Sequence, residues 1–249
     1  MRGAPASHDW VLRRAGGVPY AAFPEFEQIP WLVHGVSAVH DGDAERTGEP
    51  LGPALGLAGF ERARLAQVHG CEVVGIARGG APHAEGSPPS GDALATDAPG
   101  VALEIRVADC VPIFAVDRER RAIGLAHAGW RGTLAGVAGR LAAFLAEPFG
   151  SRPADLVVWL GPSISPDCFK VGPEVIGPFR KRYGESAVAA PNRVDLWESI
   201  RTDLARAGVP ASSVRASGLC THCRTDLFHS HRGSGGRPGR NLALIAIRT

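Results

Sequence analysis

An apolar, β-branched run at 101–116, VALEIRVADCVPIFAV, constrains the fold of this chain more than any other feature. Its valines and isoleucines favour extended backbone, and Pro112 would interrupt a helix. The run therefore predicts two buried strands or one bent strand, with Cys110 at the bend.

The rest of the chain alternates predicted strands with predicted helices. Residues 122–126 form a second apolar run that ends at His127, and AGWRGT then leads into apolar residues at helical spacing over 134–145. Further strands are predicted at 155–160 and 242–247, and an amphipathic helix at 194–207 with Asp195 near its start. Such alternation favours an α/β or α+β domain built on a mixed sheet.

Composition limits the classes of protein to consider. Of 249 residues, 45% are apolar and 21% charged, which is enough apolar surface for one large core. The net charge of +2 and the scattered basic residues argue against a nucleic-acid binder, and no run is long enough to cross a membrane. Five dispersed cysteines indicate free thiols or metal ligands, and we expect a cytoplasmic protein. A flexible stretch is predicted at 78–91.

Three segments each place a metal-ligating side chain where ordered structure passes into a loop. These are QVHG with His69, ADC with Cys110 and AHAGWRG with His127. A thiolate and two imidazoles suit zinc, and three protein ligands leave a fourth tetrahedral position open, as catalytic sites require. Because the three residues are far apart in sequence, their convergence is a hypothesis and does not follow from spacing.

Six motifs occur together in a characteristic order: QVHG, GDALATD, ADCVPI, AHAGWRGT, GPSISPDCFKVGPEV and CTHCRTDLFHSHRGSGGRPGRNLALI. With them, residues 67–247 resemble the YfiH family, also called multicopper polyphenol oxidase or laccase-domain proteins. The resemblance implies an α+β fold, a layered α/β/β/α sandwich with mixed β-sheets, as a single domain over 1–249. It also implies Zn²⁺ as cofactor, with His69, Cys110 and His127 as its ligands.

The activity that the resemblance implies concerns purine nucleosides. It comprises phosphorolysis of adenosine, inosine, guanosine and methylthioadenosine with inorganic phosphate, and hydrolytic deamination of adenosine. Residues 1–66 depart from the family pattern: His34 and Gly35 are kept, but the following arginine is absent and the stretch is shortened. His34 remains a candidate contact to the metal or substrate.

Deamination needs an activated water and a group that moves its proton. An open-site zinc lowers the pKa of a bound water to about 7. Asp109, next to Cys110, is the nearest acidic candidate in sequence. An equally good alternative is that Asp109 is a buried carboxylate, paired with Arg106 or hydrogen-bonded to backbone amides, with no part in catalysis.

Phosphorolysis needs an anion site. The helix after GWRGT offers free amides, with Thr133 as a cap and Arg131 beside it. The glycine-rich segment HSHRGSGGRPGR offers a second source of donors, namely Ser230, His231, Arg232 and Arg240. The alternative is a solvated surface turn with Arg240 in an ordinary ion pair.

Other residues carry weaker signals. Cys220 and Cys223 form a single CxxC, which is more simply a pair of reduced structural thiols than a redox or second metal site. Cys71 and Cys168 are interpreted as core or surface thiols. Asp92 in GDALATD either binds a ligand or belongs to a tight turn, and Trp130 either stacks on a base or lies in the core.

Three alternatives to the zinc enzyme stay open. In a metal-independent hydrolase, Cys110 would be a nucleophile activated by His127. A non-catalytic accessory protein would keep zinc for stability. A copper oxidase is the weakest, because a lone Cys-His-His set cannot build a trinuclear copper cluster.

Overall fold

Two stacked six-stranded sheets, both mixed, organise the chain in the computed structural model, which describes residues 10–39, 50–76, 88–236 and 239–249. The strands are β1 Val11–Ala15, β2 Val18–Ala22, β3 Leu32–Ser37, β4 Glu61–Ala63, β5 Val73–Ile76, β6 Ala93–Thr96, β7 Val101–Val107, β8 Val111–Asp117, β9 Ala122–Ala128, β10 Leu156–Leu160, β11 Val188–Ala190, β12 Arg193–Val194, β13 Val214–Ala216 and β14 Asn241–Ile247. The helices are α1 Pro24–Glu27, α2 Leu51–Ala54, α3 Trp130–Ala135, α4 Val137–Phe149, α5 Pro173–Tyr183 and α6 Leu196–Arg206.

The first sheet has the order β1-β2-β3-β14-β7-β4, and the second has the order β13-β10-β8-β9-β6-β5. Neighbours are antiparallel except β4 with β7, β5 with β6, and β10 with β13. Strands β11 and β12 form a separate hairpin.

The run at 101–116 forms two strands that belong to different sheets. Strand β7 lies in the first sheet and β8 in the second, so the chain crosses between the sheets at 108–110. Asp109 makes this crossing with a positive φ of 79°, which is uncommon outside glycine. Of the two predicted possibilities, two buried strands is confirmed. Cys110 therefore stands at the crossing.

The central core lies between the sheets. Side chains of β7, such as Leu103 and Ile105, meet those of β8, such as Phe114 and Val116, and all are buried. Alternate residues of β8, such as Ile113, face the opposite way into the core under the helices. Truncating Phe114 to alanine would cost about 3 to 5 kcal/mol, because the surrounding structure cannot close the cavity.

Helices cover the outer face of the second sheet. Leu141 of α4 packs so closely on Gly124 of β9 that a Cβ at Gly124 would lie 2.7 Å from a Leu141 methyl carbon. On the other outer face, Leu51 of α2 packs with Leu242 and Leu244 of β14. The order of layers is helices, sheet, sheet, short helix. This confirms the expected α+β layered α/β/β/α sandwich.

Most predicted elements occur within one or two residues of their predicted bounds. The helix at 194–207 is α6, and Asp195 caps it by accepting a hydrogen bond from the Glu198 amide at 2.9 Å. The helical region after His127 is two helices, because Gly136 adopts a left-handed conformation with φ of 85° between them. Thr133 does not cap α3: it is buried inside the helix, and Gly129 occupies the cap position.

The predicted flexible stretch at 78–91 lies largely outside the described residues; of its last four, Ser90 forms a bridge with Ala66. Among the described residues, the helices are too short or too polar for a membrane span.

Candidate metal centre

Three potential ligands converge beside the ends of two central strands of the second sheet, β8 and β9. His127 lies on β9, and Cys110 immediately precedes β8, which pairs with β9 so that Val111 lies opposite Ala128. His69 comes from the loop between β4 and β5, where its φ is 61°. The ligand atoms of the three side chains lie within 4.8 Å of one another. The three residues therefore converge in the structure, as the sequence analysis expected.

One buried carboxylate orients both histidines. Asp92 is fully buried, and its Oδ1 accepts hydrogen bonds from His127 Nδ1 at 2.8 Å and from the His69 amide at 3.0 Å. Its Oδ2 accepts from the Gly70 amide at 2.6 Å and from the Val68 amide at 3.2 Å. Since an ionised carboxylate only accepts, Nδ1 of His127 donates to Asp92, which leaves Nε2 as the ring nitrogen that can bind a metal once its own proton is released. Sequence reasoning left Asp92 undecided between ligand contact and turn; in the structure it positions the donors.

Two glycines of AHAGWRG allow the ligand loops to meet. A Cβ at Gly129 would lie 3.0 Å from Cys110 Sγ and 3.1 Å from His69 Cδ2. A Cβ at Gly132 would lie 2.8 Å from the carbonyl oxygen of Gly70. Any larger residue at either position would push the His69 loop or the Cys110 thiol away. These glycines therefore permit the close approach of the donors.

The donor side chains perturb one another's pKa values. Burial alone would raise the pKa of Cys110, but hydrogen bonds from His127 and His69 outweigh it and lower the pKa to about 7. Burial would lower the pKa of His127, but its hydrogen bonds with Asp92 and Cys110 raise the pKa to about 9. Burial opposes ionisation of Asp92 as well, and its hydrogen bonds with His127 and the Gly70 amide still lower its pKa. Together, these hydrogen bonds favour the thiolate form of Cys110 at neutral pH.

These residues fit a zinc ion by the chemistry of the donor set. A thiolate and two imidazoles are ligands that zinc prefers, and the carboxylate behind His127 is the usual outer partner of a metal-bound histidine. His69 is exposed and His127 is buried, so the group has one side toward solvent. The observed arrangement accords with a site that keeps an open position.

The donors lie in the wall of a cavity of about 770 Å³, a size typical of small-molecule sites. Its lining is rich in cationic side chains and includes two aromatic rings. The cationic and aromatic members are Arg106, Arg131, Lys170, His231, Arg232, Arg240, Trp130 and Phe169. Carboxylates at Asp109 and Glu174 add local negative charge. The cavity therefore offers flat apolar surfaces and anion-binding groups beside the metal donors.

Asp109 lines the cavity, but both of its carboxylate oxygens are engaged. Oδ1 accepts a hydrogen bond from Thr221 Oγ1 at 2.6 Å, and Oδ2 accepts from the Arg232 amide at 2.7 Å. The side chain is 9% exposed. This placement favours the alternative role, a buried carboxylate held by hydrogen bonds, over proton transfer. Asp109 thereby joins the Cys110 crossing to the loop that carries Arg232.

The predicted substrate residues separate into two groups. Arg131, His231, Arg232 and Arg240 all line the cavity. The Arg131 guanidinium stacks over the Trp130 ring at 4.3 Å, and that of Arg232 lies 5.7 Å from the Phe169 ring centre.

Ser230 and His34 do not line the cavity. Ser230 is buried, and its Oγ accepts a hydrogen bond from the Gly233 amide at 2.9 Å, which shapes the loop. His34 is buried beside Phe26, Phe114 and Trp159, and its Nε2 accepts from the Phe23 amide at 2.8 Å.

Sequence reasoning missed several cavity residues. Gln67 exchanges two hydrogen bonds with the Arg106 backbone, at 2.9 and 2.8 Å, which fixes the segment leading to His69. Phe169, Lys170 and Glu174 reach the cavity from the segment CFKVGPE. That segment belongs to one of the six family motifs, and this membership was the signal that could have marked its residues as functional. The spacing of the residues within the segment did not indicate a role in the cavity.

Comparison with known proteins identifies the family of this chain. Residues 38–248 match the family described as multi-copper polyphenol oxidoreductase laccase. The chain belongs to this family. The family assignment to YfiH-like proteins made from the six motifs is thus confirmed.

Several relatives have names that state an activity. Purine nucleoside phosphorylase YlmD of Geobacillus stearothermophilus is 38% identical over 193 residues, which cover 73% of this chain and 70% of the relative. Adenosine deaminase RL5, from an unknown prokaryotic organism, is 36% identical over 164 residues, which cover 62% of this chain and 61% of the relative. The chain spans 59–70% of the lengths of the first relatives that it matches.

The crystal structure of YlmD from Geobacillus stearothermophilus superposes with a TM-score of 0.85, covering 98% of this chain and 100% of the other. The sequence identity over this superposition is 29%. The layered sandwich is therefore shared along the full length of that protein.

Proposed function

We propose that this protein is a zinc-dependent, cytoplasmic enzyme of purine nucleosides. It would catalyse phosphorolysis of adenosine, inosine, guanosine and methylthioadenosine, deamination of adenosine, or both. We further propose that 1–249 act as a single domain, with 1–66 as its divergent part. The observation that carries the proposal is the meeting of His69, Cys110 and His127 in the wall of a cationic, aromatic cavity.

The cavity's composition supports a nucleoside and an anion as joint occupants. A purine presents flat faces that pack well on Trp130 or Phe169, and ring contacts of this kind contribute about 0.5 to 1.5 kcal/mol each. Phosphate is best recognised by guanidinium groups, of which Arg131 and Arg232 line the wall. Both are already held against aromatic rings, so less side-chain entropy is lost when they bind an anion.

In this proposal, the residues of the site have four distinct roles: holding the metal, orienting its ligands, positioning Arg232 and moving a proton. His69, Cys110 and His127 would hold the zinc, which when bound supplies a Lewis acid and lowers the pKa of water at its open position. Asp92 keeps the proton of His127 on Nδ1 and fixes the His69 loop. Asp109 holds the Arg232 backbone in place beside the cavity. His231 and Glu174 are the lining groups left to move a proton to or from the base.

A second candidate function rests on the pKa values of the donors. Without a bound metal, a Cys110 pKa of about 7 and a His127 pKa of about 9 favour a thiolate beside an imidazolium. This is the resting state of a cysteine nucleophile activated by histidine, so a metal-independent hydrolase is the alternative. The other alternative is a non-catalytic accessory protein that keeps zinc for stability.

Turnover assays separate these functions. Purified protein, with and without prior removal of metal, is supplied with adenosine or inosine in the presence and absence of phosphate. Phosphorolysis gives adenine or hypoxanthine with ribose 1-phosphate, and deamination gives inosine and ammonia. The proposal expects turnover that is lost with the metal and restored by zinc. Equal turnover by metal-free protein would favour the hydrolase, and no turnover in any condition would favour the accessory protein.

A further inference from the structure

Three cysteines outside the cavity form a second group of soft donors. Cys168 comes from the loop after β10, and Cys220 and Cys223 come from the loop after β13. Their sulfur atoms all lie within 4.8 Å of one another, and those of Cys168 and Cys223 are 3.3 Å apart. Sequence reasoning interpreted Cys220 and Cys223 as a pair of structural thiols and treated Cys168 separately. The fold brings the three together.

Their spacing is close to that of thiolates around one metal ion. Zinc–sulfur bonds of about 2.3 Å in tetrahedral geometry place sulfur atoms about 3.8 Å apart. The Cys168–Cys223 separation of 3.3 Å is shorter than this value and no sulfur–sulfur separation in the group exceeds 4.8 Å, so shifts of about 1 Å or less would complete the arrangement. The 3.3 Å contact is much longer than a disulfide bond of about 2.05 Å, and all three thiols are free.

The two loops hold these thiols in place before any metal binds. Ser163 forms a parallel bridge with Cys220, donating its amide to the Leu219 carbonyl at 3.1 Å and accepting from the Thr221 amide at 3.0 Å. The Ser165 amide points at Cys220 Sγ from 3.3 Å, the contact that stabilises a metal-bound thiolate. Cys220 is buried, whereas Cys223 is exposed, which leaves an entry path for an ion.

We propose that Cys168, Cys220 and Cys223 form a second, structural site for a thiophilic metal ion, with Zn²⁺ as the natural probe. The ion would join the loop carrying Ile164 and Phe169, which line the cavity, to the loop carrying Thr221, which holds Asp109. The site therefore braces one wall of the cavity without contacting the substrate.

The test is the zinc stoichiometry of the reduced, full-length protein. Metal-free protein and its variants are titrated with Zn²⁺ against a chromophoric chelator. We expect about two zinc ions per chain in the parent protein and in the control Cys71→Ser, whose thiol belongs to neither group. Cys110→Ser and Cys223→Ser should each bind about one, and the double variant none. Cys223 is exposed, so its replacement should leave the fold intact.

Two further readouts identify the second site independently of enzymatic activity. In the Cys110→Ser background, Co²⁺ should give a thiolate-to-metal charge-transfer band that Cys168→Ser weakens. In the same background, saturating Zn²⁺ should raise the melting temperature by about 5 °C, and Cys168→Ser should remove the increase. The proposal is overturned if Cys110→Ser binds no zinc, or if Cys223→Ser binds as much as the parent protein. Neither result would bear on the nucleoside activity.

Discussion

The metal centre and the cationic wall of the same cavity are built in opposite ways. His127 lies on β9 and Cys110 immediately precedes the paired strand β8, and a fully buried carboxylate, Asp92, braces His127 and the His69 loop. The cationic wall is made by loops and by the first turn of α3, which carries Arg131, and both Arg131 and Arg232 are exposed. The difference teaches that the metal donors are fixed by strand pairing and a buried brace, whereas the cationic wall lies on exposed segments, which generally tolerate change.

The largest effect is expected at the centre itself. Cys110→Ser removes the thiolate, whose charge and softness both favour zinc, and should lower zinc affinity at this site and nucleoside turnover by more than about 100-fold. Zinc competition and product chromatography measure the two quantities. Cys71→Ser is the control. Normal zinc binding at this site and normal turnover in Cys110→Ser would refute the ligand assignment.

The brace behind the centre should matter next. Asp92→Asn replaces the acceptor shared by His127 and His69 with a neutral amide, and should lower zinc affinity by about 10- to 100-fold. Asp117 is a matched control: it is equally buried but accepts hydrogen bonds from the Glu119 and Arg120 amides at the far end of β8. Asp117→Asn should reduce stability and leave zinc affinity unchanged. Equal zinc affinities in the two variants would show that Asp92 has only a structural role.

A smaller and more selective effect is expected on the wall. On the proposed function, Arg232→Gln or Arg240→Gln removes a charged donor to the phosphate anion, so the KM for phosphate should rise about tenfold in phosphorolysis. Deamination, which uses no phosphate, should change much less. Arg140→Gln, an exposed arginine of α4 outside the cavity, is the control. If both reactions lose activity equally, these arginines support the fold or the nucleoside, and the contrast between centre and wall fails.

The smallest effect on turnover is expected at His34, which lies in the core and not in the cavity. Burial lowers its pKa to about 4, whereas an unfolded histidine has a pKa of about 6.5. The unfolded state therefore binds more protons between these values, and the free energy of unfolding should fall as pH drops from about 6.5 to about 4. His34→Gln should remove this part of the pH dependence and leave zinc affinity unchanged. Urea unfolding at several pH values measures it, and a loss of zinc affinity in His34→Gln would place His34 at the metal.

Local patterns predicted local structure well. The β-branched run at 101–116 and the capping residue Asp195 led to the observed strands and helix, because these signals act over neighbouring residues. The three metal donors were found through motif order, since their spacing alone is uninformative. Two features that no local pattern predicted depend on distant chain segments: that β7 and β8 belong to different sheets, and that Cys168 meets Cys223.

Asp92 illustrates the same limit within the site. A glycine followed by an aspartate is what a turn requires, and no local pattern reveals that this carboxylate accepts hydrogen bonds from His127 and His69. His34 illustrates the reverse case. It recurs in a family motif and suggested substrate contact, but its neighbours in space are Phe26 and Trp159.

Anomalous diffraction at the zinc absorption edge, from crystals of gently purified protein, tests the central claim most directly. We predict an anomalous peak that marks a zinc ion about 2.0 to 2.3 Å from a ring nitrogen of His69, Sγ of Cys110 and Nε2 of His127. The fourth coordination position of the ion should face the cavity. A centre with no anomalous peak after zinc is added, or one closed by a fourth protein ligand, would contradict it.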